Sequence, residues 1–467
     1  MNAFALAGIL TYVVIQFAIG AWVSRRMTSD QDYILAGRSL GTGLVAFSVF
    51  STWFGAEAIV ASAGEIYANG LSGGLVDPFG YGVAVLVAGL ALAGPLWRRG
   101  VVTYADMVRE RFSPGVEKLF VLALLPGSVF WAAAQIRAFG QILGSTTGLE
   151  LVTAILVAAV LVGAYSVVGG LLADAVTDVV QGLAVIVGLV VLVLFVASAL
   201  GGLEAGLARI EPARLSLAGD DGGPWARLEK MAVVICGSFV AVELVSRFLG
   251  ARAAPVAALG TVIGGLLYLA VGLLPLFLGL VGPLLLPDLA ETEQIVPRLA
   301  EKYLPPFAYA LFVGALVSAI LSVVHAALHA PAAQLSHNVV VRFQPKLSPA
   351  ARLTSVRLCV LLLAVAACGL ALSVSRIKEL VELASAFGSA GAFVVAVFGV
   401  FTRFGGPWAA LSALLAGSVV WAVSKLLLPV STPYLAGLAV AFAAYVGVGL
   451  LEGRQSTAAG RQADNRP

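Results

Sequence analysis

The chain has 467 residues, 60% of them hydrophobic and only 11% charged, with a net charge of +3 at neutral pH. Soluble globular domains carry about 25% charged residues, so water cannot be the solvent for most of this surface, and the mean hydropathy of +1.00 agrees. A soluble enzyme, a disordered chain and a nucleic-acid-binding protein are excluded. At about 20 apolar residues per crossing, the chain holds roughly a dozen transmembrane helices.

In chain order the apolar segments fall at 4–22, 40–66, 74–97, 117–142, 149–168, 175–199, 229–249, 258–286, 306–335, 353–373, 379–402, 406–427 and 432–451, which is thirteen. The first lacks the basic leader and small-residue cleavage site of a signal peptide. Basic residues gather after alternate segments: Arg25, Arg26 and Arg38; Arg98, Arg99, Arg109, Arg111 and Lys118; Arg247 and Arg252; Arg342, Lys346, Arg352 and Arg357; Arg403; and Arg454, Arg461 and Arg466. These are eighteen of the 28 Lys and Arg. Turns of the opposite parity are nearly uncharged (66–74, 143–149) or acidic (200–228, 287–305). The positive-inside bias therefore places the N-terminus outside and the C-terminus in the cytoplasm, which requires an odd number of crossings. Residues 1–451 read as one polytopic membrane domain and the polar tail 452–467 as disordered. No P-loop is present, so ATP-driven pumping is not expected. Cys236, Cys359 and Cys368 lie in apolar runs and read as small core residues.

A helix that only spans lipid avoids ionisable groups, because each costs about 2.5–3.5 kcal/mol at the midplane. Two segments break that rule. The second carries Ser51, Thr52, Gly55, Glu57 and Gly64; the seventh carries Cys236, Gly237, Ser238 and then Glu243. They open two five-helix blocks, 40–199 and 229–402. Interrupted helices at matching positions of two halves point to an inverted-repeat transporter, in which unwound backbone frees carbonyls for a cation. Close helix packing through small residues is the competing reading of the glycines.

Four stretches resemble the sodium/solute symporter family: DYILAGRSLG (32–41), ASAGEIYANGLSG (61–73), GAYSVVGGLLADAVTDVVQG (163–182) and VSAILSVV (317–324). The resemblance implies an all-α membrane protein of about thirteen helices with a LeuT-type core of 5+5 inverted repeats at about 40–402. One N-terminal and two C-terminal helices would be added to that core. It also implies secondary active uptake of a small organic solute, usually driven by sodium.

Carried onto this chain, the family's cation site takes the carbonyls of Ser51 and Phe54 and, close by, Asp178. Asp178 could equally cap its own helix. The family's hydroxyl pair on the eighth core helix is expected at Ala326-Ala327, where no side-chain oxygen exists, with Ser322 and Ser318 as substitutes. Beside the gap stands His325, with His329 one turn on. All three histidines (His325, His329, His337) fall within thirteen residues. Three readings stay open: proton coupling through His325 with Asp178 or Glu57, a weak metal site at His325 and His329, or hydrogen-bonded core histidines.

For the solute, the inner faces of the first, third, sixth and tenth core helices supply Trp53 and Glu57, Trp131 and Gln135, Phe239 and Glu243, and Ser385 and Phe387. Each aromatic could instead be plain packing. Arg137, in the same polar run as Gln135, is expected to pair with Glu57 or Glu243, because an unpaired buried guanidinium is prohibitive. If Glu57 is instead unpaired in the cavity, the solute carries an amine or guanidinium. The expected function is cation-coupled symport, with Na+ or H+ as the coupling ion and no organic cofactor. The solute is taken as amino-acid-like and the location as a bacterial cytoplasmic membrane. No obligate protein partner is expected. A solute sensor or an uncoupled facilitative path on the same fold is the alternative.

Overall fold

The structure, a computed structural model, describes residues 3–24, 30–168, 170–218, 223–374, 376–428 and 430–464. Arg25, Arg26 and Arg466 of the basic pattern, and Gly169 of the quoted signature, lie outside the described residues, as do the side chains of Arg454 and Arg461. Among the described residues every regular element is helical.

The peripheral helix α1 (Ala3–Ser24) precedes the first five-helix block. That block opens with α2 (Thr42–Trp53), a break, and a continuation through 57–61 into α3 (Ser62–Asn69). Residues 75–98 form its second member, containing α4 (Tyr81–Val87) and α5 (Gly94–Arg98). A short surface helix α6 (Tyr104–Arg111) leads to α7 (Pro114–Thr147), α8 (Leu151–Val168) and α9 (Leu171–Ala199). The second block repeats the pattern. It runs through the bent pair α10 (Pro224–Val240) and α11 (Val242–Leu249), then α12 (Ala254–Leu285). The short α13 (Ile295–Tyr303) leads to α14 (Pro306–Leu335), α15 (Pro349–Ser373), and a second bent pair, α16 (Ile377–Ala386) and α17 (Ser389–Phe401). Two more helices follow, α18 (Pro407–Leu426) and α19 (Pro433–Asp464). The last runs on into the segment expected to be disordered.

Among the described residues, eight helices are long and apolar enough to cross a bilayer, or up to ten when each bent pair counts as one span. Shorter apolar helices at Leu10–Gly20, Thr42–Trp53 and Leu151–Val167 add to these. Apolar side chains such as Val187 and Leu194 of α9 and Leu362 and Val365 of α15 are exposed on the outer surface of the helices. Ends are set by local signals: Ser113 caps α7 through the Val116 amide, Pro114 opens its first turn, and Gly148 stops it at φ +77°. That conformation is strained for any side chain with a Cβ.

The breaks lie where backbone hydrogen bonding fails. After Trp53, Phe54 leaves the helical region at φ −88°, ψ 66°. The second break is at Ala241 (φ −63°, ψ 117°), with a bend of 42°. It was expected at Cys236-Gly237-Ser238, but those residues sit inside α10. A Cβ on Gly237 would lie 2.5 Å from the Ser385 carbonyl oxygen, so this glycine lets α10 pack closely on α16. A third break, unforeseen, separates α16 from α17 at Phe387-Gly388 with a bend of 40°.

The face carrying the Arg-rich loops is tied together by α6. Thr103 and Asp106 form a capping box. Asn338, just past α14, donates to Asp106 Oδ1 (2.7 Å) and to Glu117 Oε1 (2.8 Å) and accepts from the Thr103 hydroxyl. Arg342 reaches Asp106 at 3.2 Å, His337 at 3.5 Å, and Arg109 pairs with Glu117 at 2.8 Å. Burial opposes the charge on Asp106, but His337, the Thr103 amide and Asn338 outweigh it and hold its pKa down at about 2, against an ordinary 3.8. A depressed carboxyl pKa stabilises the fold above about pH 4 and loses that contribution as pH falls through about 2. Asp106→Asn should therefore cost about 2.5 kcal/mol at neutral pH, the free energy of a carboxyl held at about 2 against an ordinary 3.8. The gap in melting temperature between the two proteins should close between pH 4 and pH 2; a gap that is constant with pH would refute the assignment.

Candidate cation and solute sites

Asp178 lies wholly buried on α9, two turns inside its N-terminus. It faces the break rather than capping its own helix. Ser48 of α2 donates to Oδ2 at 2.6 Å, and Ser322 of α14 donates to Oδ1. Ser51 donates to the Asp178 carbonyl at 2.9 Å. At the break, the Gly55 amide turns to the Trp53 carbonyl (3.1 Å) and the Ala56 amide to Gln135 Oε1 (3.1 Å). The carbonyls of Ser51 and Thr52, which regular helix would pair with those two amides, are thereby released. A hard cation of the sodium class takes such oxygens, carbonyl, hydroxyl and carboxylate together.

Ser322 thus supplies the hydroxyl of the eighth core helix, one turn before Ala326-Ala327. Ser318 is occupied elsewhere: Gln16 of α1 donates to its carbonyl (3.0 Å) and to its hydroxyl. Phe54 packs its ring on Phe50 (4.9 Å) and Tyr268 (5.5 Å). Gln135, expected to meet solute, is wholly buried, accepts from the Ala56 amide at the break, and is absent from the lining of the central cavity and of the vestibule.

His325 does not join Asp178. Its Nε2 lies 3.8 Å from Asp174, which is itself ion-paired with Arg247 of α11. His329 meets the Tyr33 carbonyl at 3.1 Å, and the two imidazoles stack at 5.2 Å. Among the described residues no group of three His, Cys, Asp or Glu stands together as metal ligands. The partners considered for a proton, Asp178 and Glu57, are replaced by Asp174.

A second cavity lies between α2, α7, α10, α11 and α16, lined by Trp53, Glu57, Tyr81, Ser128, Trp131, Glu243, Ser385, Phe387 and Ser389. Six of the eight residues expected to meet solute are there. Phe239 is not; it packs edge-on against Phe393 at 5.3 Å. Trp131 donates to Glu57 at 3.2 Å, and its ring lies 5.3 Å from that of Trp53. Arg137 does not neutralise Glu57 or Glu243; it donates to the Ala371 carbonyl at 2.8 Å, at the end of α15. Ser389, another hydroxyl read from the tenth core helix, is also in the lining, whereas Tyr81 and Ser128 were missed because single hydroxyls in apolar runs carry no sequence signal.

Above this cavity a vestibule of about 380 Å³ opens between Glu65, Asn69, Glu229, Lys378 and Lys425, on the face opposite the Arg-rich loops. On the Arg-rich face the path is shut. Leu40 pairs with the backbone of Gly250 and Arg252, and Trp97 donates to Ala251 at 2.8 Å. Arg38 and Arg99 clamp carbonyls of Val101 and of Gly399 and Val400.

Two five-helix blocks with a polar centre at their breaks are a transporter's architecture. The sequence model of the sodium:solute symporter family matches residues 33–417. This chain belongs to that family. Among its relatives, the sodium/pantothenate symporter of Escherichia coli is 26% identical over 89% of both chains. A high-affinity choline transporter of Drosophila melanogaster is 24% identical over 82% of this chain and 65% of its own length. The human choline transporter matches over 41% of this chain, at 28% identity, and 35% of its own. The chain therefore spans about two thirds or less of the curated choline transporters it matches. Among solved structures, a substrate-bound, outward-open Na+-coupled sialic acid symporter superposes with a TM-score of 0.84 at 15% identity, over 96% of this chain and 98% of that one. A nucleobase–cation symport family transporter in a closed conformation gives 0.62 at 14% identity, over 91% and 95%. These likenesses establish the LeuT-type fold.

Proposed function

We propose that the chain is a sodium-coupled symporter that takes up a small organic solute across a bacterial cytoplasmic membrane by alternating access. The observation that carries this reading is Asp178, ringed by Ser48, Ser51 and Ser322 against freed carbonyls at the helix break. Sodium fits that oxygen set, whereas a proton relay through His325 would start from the separate Asp174–Arg247 group. The solute would occupy the cavity beside it, reached from the open vestibule. Thirteen crossings follow if residues 42–69 form one and 75–98 another. The N-terminus is then outside and the C-terminus inside, with residues 1–451 as a single transport domain. Cation binding would favour the outward-open form, and solute binding would share its stabilisation.

Proteoliposomes given a solute panel under separate sodium and pH gradients test the reading. Accumulation above the external concentration, driven by the sodium gradient alone, is expected. Uptake that stops at equal concentrations would indicate a facilitative path, and accumulation driven only by pH would make the coupling ion a proton.

A further inference from the structure

The floor of the vestibule holds a carboxylate pair that the cation site does not use. Glu57 and Asp77 both line the vestibule, at 8% and 5% exposure. Asp77 was not foreseen as a site residue. It stands where the second core helix is locally unwound (φ −137°, ψ 120°). Tyr268 donates to its Oδ1 at 2.8 Å, while Oδ2 has no hydrogen-bond partner. Across the central cavity Glu243 likewise keeps Oε1 unbonded at 3% exposure.

The vestibule is lined by Lys230, Lys378 and Lys425, but none of the three reaches the central cavity. Neither Lys, Arg nor His lines the central cavity. The lysine nearest in sequence to its α16 wall, Lys378, is engaged at the mouth with Glu65 at 2.7 Å. Arg137 is turned to Ala371 and Arg247 to Asp174. Two buried carboxylates without a cation between them are costly, because charge leaves water uncompensated. On the central-cavity side of Glu57 stand Trp53, Trp131 and Phe387, and Tyr81, whose hydroxyl lies 3.0 Å from that of Ser385, lines both cavities with Glu57. Indole faces attract cations, most strongly when both are desolvated.

We infer that the solute is an organic cation whose ammonium or guanidinium group is received between Glu57 and Asp77 and covered by Trp53 and Trp131. This rests on the reading of the central cavity as the solute site. It departs from an amino-acid-like solute: a zwitterion would bring a carboxylate for which the lining of the central cavity holds no basic partner. Glu243 Oε1 accepts a donor from the solute's other end.

The test uses the full chain in nanodiscs with sodium present. Choline, tetramethylammonium and putrescine are set against pantothenate, propionate and glucose, and binding is read by thermal stabilisation and tryptophan fluorescence. At least one of the cations should bind and none of the anionic or neutral probes. Asp77→Asn and Glu57→Gln should each weaken that cation's binding tenfold or more, and Asp77→Glu should recover part of it. Binding of pantothenate, propionate or glucose, lost in Trp131→Ala, would overturn the solute class and keep the cavity. Cation binding unchanged in Trp131→Ala would overturn the cavity reading itself. Cation binding that survives Asp77→Asn while pH-driven accumulation is lost would show that the pair holds a proton, and would also overturn the inference.

Discussion

Asp178→Asn should raise the sodium concentration for half-maximal response by ten- to a hundredfold. The carboxylate accepts from Ser48 and Ser322, and Ser51 at the α2 break donates to the Asp178 backbone carbonyl. A hydrogen bond to a charged group contributes about 1.5–3 kcal/mol, and each 1.4 kcal/mol is about tenfold in affinity. The amide keeps one oxygen and the approximate shape, so folding survives while the charge that balances the cation is gone. Ser48→Ala removes a donor and leaves the charge, so its effect should be several times smaller. Trp53 closes α2 near this locus, which makes sodium titration of tryptophan fluorescence a direct readout that needs no knowledge of the solute. An unchanged sodium midpoint in Asp178→Asn would place the coupling cation elsewhere.

How much of this was legible beforehand depends on the kind of physics involved. Hydropathy sets the long helices, because lipid imposes length and apolarity on every crossing. The break near Gly55 was readable since glutamate, serine and glycine interrupt one apolar run. The break at Ala241 was displaced from its expected place because the glycine upstream serves packing against Ser385. The break at Phe387-Gly388 went unread because one glycine in an apolar run looks like many others. Partner choice was hardest. Arg137 and Glu57 lie 80 residues apart along the chain, on different helices, and only the packing of α7 on α15 directs the guanidinium to Ala371. Asp77 went unnoticed because a single acid beside a proline reads as the end of a helix.

The second large effect is expected at Arg247, the bulkiest wholly buried side chain, at 1% exposure. It joins α11 to Asp174 of α9 beneath the solute cavity, with Nε and Nη1 left unbonded and His325 3.8 Å from the same carboxylate. Removing one partner of such a pair strands the other in a low dielectric, at about 3–5 kcal/mol. Arg247→Met should therefore depress the melting temperature sharply. Replacing both members with apolar residues of similar volume is often neutral or stabilising, so Arg247→Met with Asp174→Leu should recover most of the loss. Transport separates structure from mechanism here. The pair ties α11, half of a broken helix, to α9 on the side where the path is shut. A stable double variant should still bind sodium yet accumulate less solute, because the closed side opens without waiting for the load. If the double variant is as unstable as Arg247→Met alone, the pair is not the coupled unit described. If it is stable and accumulates normally, the pair stabilises the fold without holding that side closed.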